Sequence, residues 1–130
     1  MILSTGLDLC DIRRIEKILD GSTAMRFKQR YFTPAENTHI ARRGAHAHAA
    51  AYARRWAAKE AIAKALGTGF RNGLHMHQME ILNHENGKPS VKLHGRAEEL
   101  LKNLASPPPS IHIAMTDEYP YAMAQIIISV

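Results

Sequence analysis

The chain opens on Met1 to Leu9, MILSTGLDL, which predicts a first strand with Gly6 inside it. From Ile12 the period changes. Ile12, Ile15 and Leu19 fall on one face of a helix, with Arg13, Arg14 and Lys17 on the other and Asp11 placed to cap it. Asp20-Gly21-Ser22 ends that pattern, and a second helix is predicted over Ala24 to Tyr31. Thr33-Pro34-Ala35-Glu36 is a start signal: threonine caps, proline takes the first helical position and glutamate closes a capping box. Gly44 interrupts, and a long alanine-rich helix is predicted from about Ala45 to Leu66, ended by Gly67. Strands are predicted over Gln78 to Asn83 and Ser90 to Leu93, with Glu85-Asn86-Gly87-Lys88 as the hairpin turn between them. A helix over Arg96 to Leu104, a rigid link at Ser106 to Ser110, an alternating strand at Ile111 to Thr116 and a terminal strand at Tyr121 to Val130 complete the pattern. With no repeat and no boundary, residues 1–130 are expected to form one domain of the α+β class, a largely antiparallel sheet packed on one long helix.

Composition narrows the partners. Of 130 residues, 45% are hydrophobic and 22% charged, an ordinary globular balance. The formal net charge of +5 favours an acidic partner: a nucleic acid, a phosphorylated ligand or an acidic protein. Arg13-Arg14, Arg42-Arg43 and Arg54-Arg55 motivate the nucleic-acid reading, but no nucleic-acid motif accompanies them and aromatic residues make up only 6%. No nucleic-acid partner is therefore expected. A zinc reading rests on His46-Ala47-His48 and His75-Met76-His77, which lack helical i, i+4 spacing and any cysteine cluster. The single cysteine, Cys10, is expected in the core, and a reducing cytoplasmic location without membrane insertion is expected from it, from the lack of a spanning run and from an N-terminus unlike a signal peptide.

Two acidic positions stand out. On the long helix Ala58, Ala61, Ile62, Ala65 and Leu66 form an apolar sector, while Trp56, Glu60 and Lys64 recur at i, i+4, i+8 on a different stripe. Spacing alone leaves two readings of Glu60 and Lys64: a surface pair worth about 0.3–0.5 kcal/mol, or a metal ligand beside a phosphate contact. Asp8, at the end of an apolar strand, must be solvated, capped or paired, and is open to the same two readings.

The segments that hold these acids resemble known motifs. Gly6 to Ile15, GLDLCDIRRI, and Arg55 to Gly69, RWAAKEAIAKALGTG, are similar to the two motifs of the holo-acyl-carrier-protein synthases, small phosphopantetheinyl transferases. The similarity continues through Arg71-Asn72-Gly73-Leu74, Asn86-Gly87-Lys88-Pro89 and the terminal strand, and so covers nearly the whole chain. The resemblance implies the 4′-phosphopantetheinyl transferase fold. It also implies Mg²⁺ held by Asp8 and Glu60 against the diphosphate of coenzyme A, and transfer of phosphopantetheine to a serine of apo acyl carrier protein in support of fatty acid biosynthesis. Lys64 would offset the diphosphate charge, and Glu60, directly or through water, is the favoured base. Glu36 is either a third acid or a capping residue. Arg55, Lys59 and the Gly67-Thr68-Gly69 turn are expected at the nucleotide, Asp117 is only a candidate contact with no essential role expected, and Arg13 and Arg14 are expected to dock the acidic carrier protein. A homotrimer with active sites between subunits is the assembly implied.

Overall fold

Strand β1 (Ile2–Asp11) opens the chain and β5 (Tyr121–Ser129) closes it. In the computed structural model, which describes residues 1–130, the two lie side by side and antiparallel. Strand β4 (Ser110–Glu118) pairs along the other edge of β5, giving the order β1-β5-β4. The period of two is plain in β5: Ala122, Ala124, Ile126 and Ile128 are buried, while Tyr121, Met123 and Gln125 between them are exposed. One face of the sheet therefore packs inward and the other lies open.

Helix α4 (His48–Leu66) crosses the inward face. Its alanines make a close crossing feasible, and Gly6 sets how close. A Cβ at Gly6 would lie 1.9 Å from the Ala61 carbonyl oxygen, so no other residue fits there without moving strand or helix. Helices α1 (Ile12–Asp20), α2 (Ala24–Tyr31) and α3 (Pro34–Ala41) gather around α4. Phe27, Phe32, Tyr52 and Trp56 meet there ring to ring, with centroids 4.8–6.2 Å apart. A hairpin of β2 (Met79–Asn83) and β3 (Pro89–Leu93) forms a second, two-stranded sheet, and helix α5 (Gly95–Lys102) follows it.

The α+β expectation holds, with an antiparallel sheet against one long helix. The Asp11 cap and the Thr33–Glu36 capping box both form, and His84, Gly87 and Lys88 close the expected hairpin turn. The long helix differs at its start. Ala45–Ala47 is a 3₁₀ turn and the α-helix begins at His48, because alanine at the cap offers no side-chain oxygen to the first N–H groups. Strands β1 and β4 run longer than their local pattern, since Cys10 and Asp11 find partners in Ala122 and Tyr121, and so do Asp117 and Glu118. Helix α5 starts one residue before Arg96 and ends at Lys102, short of the expected Leu104.

Candidate active site

The pleat of β1 decides which side chains meet α4. Leu7 and Leu9 are exposed, whereas Gly6 and Cys10 are buried and Asp8 is half-buried between them. Ser4 Oγ donates to the Ala65 carbonyl at 2.7 Å, and Gly6 lies against Ala61. Asp8 then stands beside the Trp56–Glu60–Lys64 stripe, the part of α4 left open by its neighbours. Lys64 Nζ donates to Asp8 Oδ1 and to the Leu7 carbonyl, both at 2.9 Å.

Electrostatics joins the two acids. The Glu60 pKa is raised, first by burial and second by the charge of Asp8, while Lys64 and Arg14 pull it back. Asp8, Glu60 and Arg14 also act on Cys10, whose thiol is pushed up to about 11 by burial against the opposing charge of Arg14. Asp8, Glu60, Lys64 and Arg14 thus share one electrostatic neighbourhood, although Asp8 and Glu60 come from elements far apart in sequence.

This donor set suits a hard divalent cation. It offers carboxylate oxygens only, and Mg²⁺ commonly takes one or two carboxylates and completes its shell with substrate phosphates and water. No three His, Cys, Asp or Glu side chains are placed to hold a metal ion together. The Lys64 ammonium already provides Asp8 with a positive neighbour.

Beside Glu60 lies a groove of about 610 Å³. Tyr31, Trp56, Phe70 and Met76 give it apolar walls, and Arg30, His75 and His77 line its polar part. The Gly67-Thr68-Gly69 turn leads into it. Gly67 caps α4 at φ 81° and Gly69 has φ 63°, both with open space where a side chain would be, and Phe70 follows directly. Arg30 and Phe70 did not stand out in the sequence, and His75 and His77 did so only as half of the zinc reading. They converge only because α2, α4 and the 70–78 segment pack together, and no local spacing records that.

Other expected site residues lie elsewhere. Arg55 and Lys59, placed at the nucleotide by sequence, are both fully buried. Arg55 donates to the Ile81 and Ala51 carbonyls and to Asn83 at 3.0, 3.2 and 3.3 Å. Lys59 Nζ donates to Glu36 Oε1 and the Tyr31 carbonyl, both at 2.7 Å, and to the Met76 carbonyl at 3.1 Å. Burial pushes the Lys59 pKa down, against the pull of the Glu36 charge. With no surface exposed, neither cation is open to a nucleotide. Glu36 forms its capping box and is fully buried on Lys59, so it is no third acid beside Asp8 and Glu60. Removing one partner of such a pair destabilises by about 3–5 kcal/mol.

Asp117 pairs with Arg54, tying the end of β4 to α4. Arg13 folds back on Asp11 with a 2.7 Å contact. Arg14 lies over the Trp56 ring, 5.9 Å from its centroid, and so belongs to the rim of the Glu60 site as well as to α1. His46 lies in the exposed 3₁₀ turn, and His48 contacts the Arg43 carbonyl at 2.9 Å.

Comparison with known proteins agrees with this architecture. Holo-[acyl-carrier-protein] synthase from Granulibacter bethesdensis is 45% identical over 134 residues, covering 99% of this chain and 90% of the relative. The Caulobacter vibrioides protein of that name is 45% identical over 98% of this chain and 96% of its own. Among solved structures, holo-[acyl-carrier-protein] synthase from Neisseria meningitidis aligns over all of both chains, with TM-score 0.82 and 30% identity. The Bacillus anthracis synthase, in complex with CoA (3′,5′-ADP), aligns with TM-score 0.80 and 27% identity over 99% of this chain and 97% of its own. Residues 4–124 match the family model described as the 4′-phosphopantetheinyl transferase superfamily. With relatives this similar from end to end, the chain belongs to the 4′-phosphopantetheinyl transferase superfamily.

Proposed function

We propose that this enzyme transfers 4′-phosphopantetheine from coenzyme A to a serine of apo acyl carrier protein and releases adenosine 3′,5′-bisphosphate. The observation that carries the reading is the approach of Asp8 to the Glu60–Lys64 stripe at the mouth of a groove. The relatives' shared name and the coenzyme A in the Bacillus anthracis structure support it.

In the reaction the serine Oγ forms a bond to the β-phosphorus, the bond from that phosphorus to the bridging oxygen breaks, and the departing bisphosphate keeps the electron pair. Such transfers need alignment and charge neutralisation more than covalent help. Asp8 and Glu60 would hold Mg²⁺, which when bound supplies positive charge to the donor diphosphate and the leaving group. Lys64, with 55% of its side chain exposed, adds charge from the Asp8 side. Glu60, directly or through a water, accepts the serine proton. The open Gly67-Thr68-Gly69 turn lets backbone come close to the nucleotide end of the donor.

Arg13 and Arg14 remain the docking contacts for the acidic carrier protein, with Arg14 set between the docking helix and the groove. The open sheet face, where Leu7, Leu9, Tyr121 and Met123 are exposed, supports a homotrimer in which a neighbouring copy completes each groove. No helix is long and apolar enough to cross a membrane.

The test is mass spectrometry of apo acyl carrier protein incubated with the enzyme, coenzyme A and Mg²⁺. A mass gain equal to phosphopantetheine on the carrier serine is expected. An unmodified carrier protein would contradict the reading.

A further inference from the structure

Lys59 precedes Glu60 directly, yet has no route to substrate, being fully buried. An ammonium has three N–H donors, and here each goes to a different segment. One reaches the Tyr31 carbonyl at the end of α2, one the Met76 carbonyl in the turn before β2, and one Glu36 in the first turn of α3. Tyr31 and Met76 both line the groove beside Glu60. Glu36 is anchored without Lys59: the Thr33 N–H donates to it at 2.9 Å and the Ile81 N–H at 3.2 Å. The lysine therefore ties two groove walls to the helical turn that carries the catalytic carboxylate, over a base whose position is fixed separately.

We propose that Lys59 is a positioning residue for phosphopantetheine transfer, holding the Tyr31 and Met76 walls of the donor groove in place relative to Glu60, with buried Glu36 as its counter-charge. This rests on the reading of the groove as the coenzyme A site. A purely structural ion pair would matter for stability alone. A clamp on the donor groove acts on the use of coenzyme A even in protein that is fully folded, and much less on the use of carrier protein.

Stability and positioning separate in paired variants. Lys59→Met removes the ammonium and leaves Glu36 facing its second buried cation, Arg55, 3.9 Å away. Lys59→Met with Glu36→Gln removes both charges of the short pair and also the carboxylate that faces Arg55, and in both variants the two carbonyls stay unclamped. Steady-state kinetics, below the melting temperature of each protein, should show KM for coenzyme A raised and kcat lowered in the double variant. Together these give a loss in kcat/KM of about 10- to 100-fold, with KM for apo carrier protein changed much less. Lys59→Arg keeps the charge against Glu36 but cannot set one nitrogen among all three acceptors. It should show the same direction of change, and it serves if the double variant does not fold. Folded variants with wild-type KM for coenzyme A and wild-type kcat would overturn the proposal while leaving the functional reading intact. A wild-type enzyme that cannot modify carrier protein would overturn the functional reading and this proposal with it.

Discussion

His39, on α3, has an Nε2 atom that is buried without a partner. Its pKa is lowered, first by burial and then by the charges of Arg55, Arg43 and Arg42. The unfolded chain takes up a proton at the ordinary value of 6.5, while the native chain resists it to a lower pH. Across that window the unfolded state binds more protons, so stability should fall as pH drops below about 6.5. Melting temperature followed from pH 7.5 to 5.5 (on the order of one unit either side of the free imidazole value) should decline less steeply in His39→Gln than in the wild type. Equal slopes would assign the acid sensitivity to other groups. The same scale marks the limit of sequence reading. Lys64 was legible, because the i, i+4, i+8 stripe leaves it outside the apolar sector. Lys59 was not, because a lysine becomes a core residue only through a carboxylate and two carbonyls supplied by distant segments, Glu36 among them. Helical spacing is silent about such partners.

Among the elements, the crossing of β1 over α4 matters most for the site. Gly6→Ala would put a methyl group into the Ala61 carbonyl, and backbone on both sides leaves nowhere for it to go. The expected result is destabilisation of at least about 1–3 kcal/mol, read by denaturant titration, together with loss of activity as Asp8 moves off the Glu60 stripe. A variant with wild-type stability and turnover would contradict the close crossing. Elements with a local start signal were legible: the Thr33 box fixes α3, Asp11 fixes α1, and Gly67 stops α4. Ends fixed by pairing were not, as in β1, where Cys10 and Asp11 stay extended because of Ala122 and Tyr121 near the other terminus. The walls of the groove fall in the same class, since three segments meet there and none announces the others.

At the scale of the whole molecule, the sheet has one face committed to α4 and one rich in exposed apolar side chains. A homotrimer built on that face should appear in sedimentation as a species three times the 14.5 kDa chain. Leu7→Glu with Met123→Glu should yield folded monomers with little activity, because a charge on each patch opposes its burial. An active monomer would contradict the shared groove. The central claim is narrower than the assembly: Asp8 and Glu60 together hold a cation that grips the donor diphosphate. Calorimetric titration of coenzyme A into the wild type, Asp8→Ala and Glu60→Gln, with and without Mg²⁺, tests it most directly. The wild type should bind coenzyme A more tightly when Mg²⁺ is present, and both variants, folded by circular dichroism, should lose that increment. Variants that kept the full Mg²⁺-dependent gain would contradict the account.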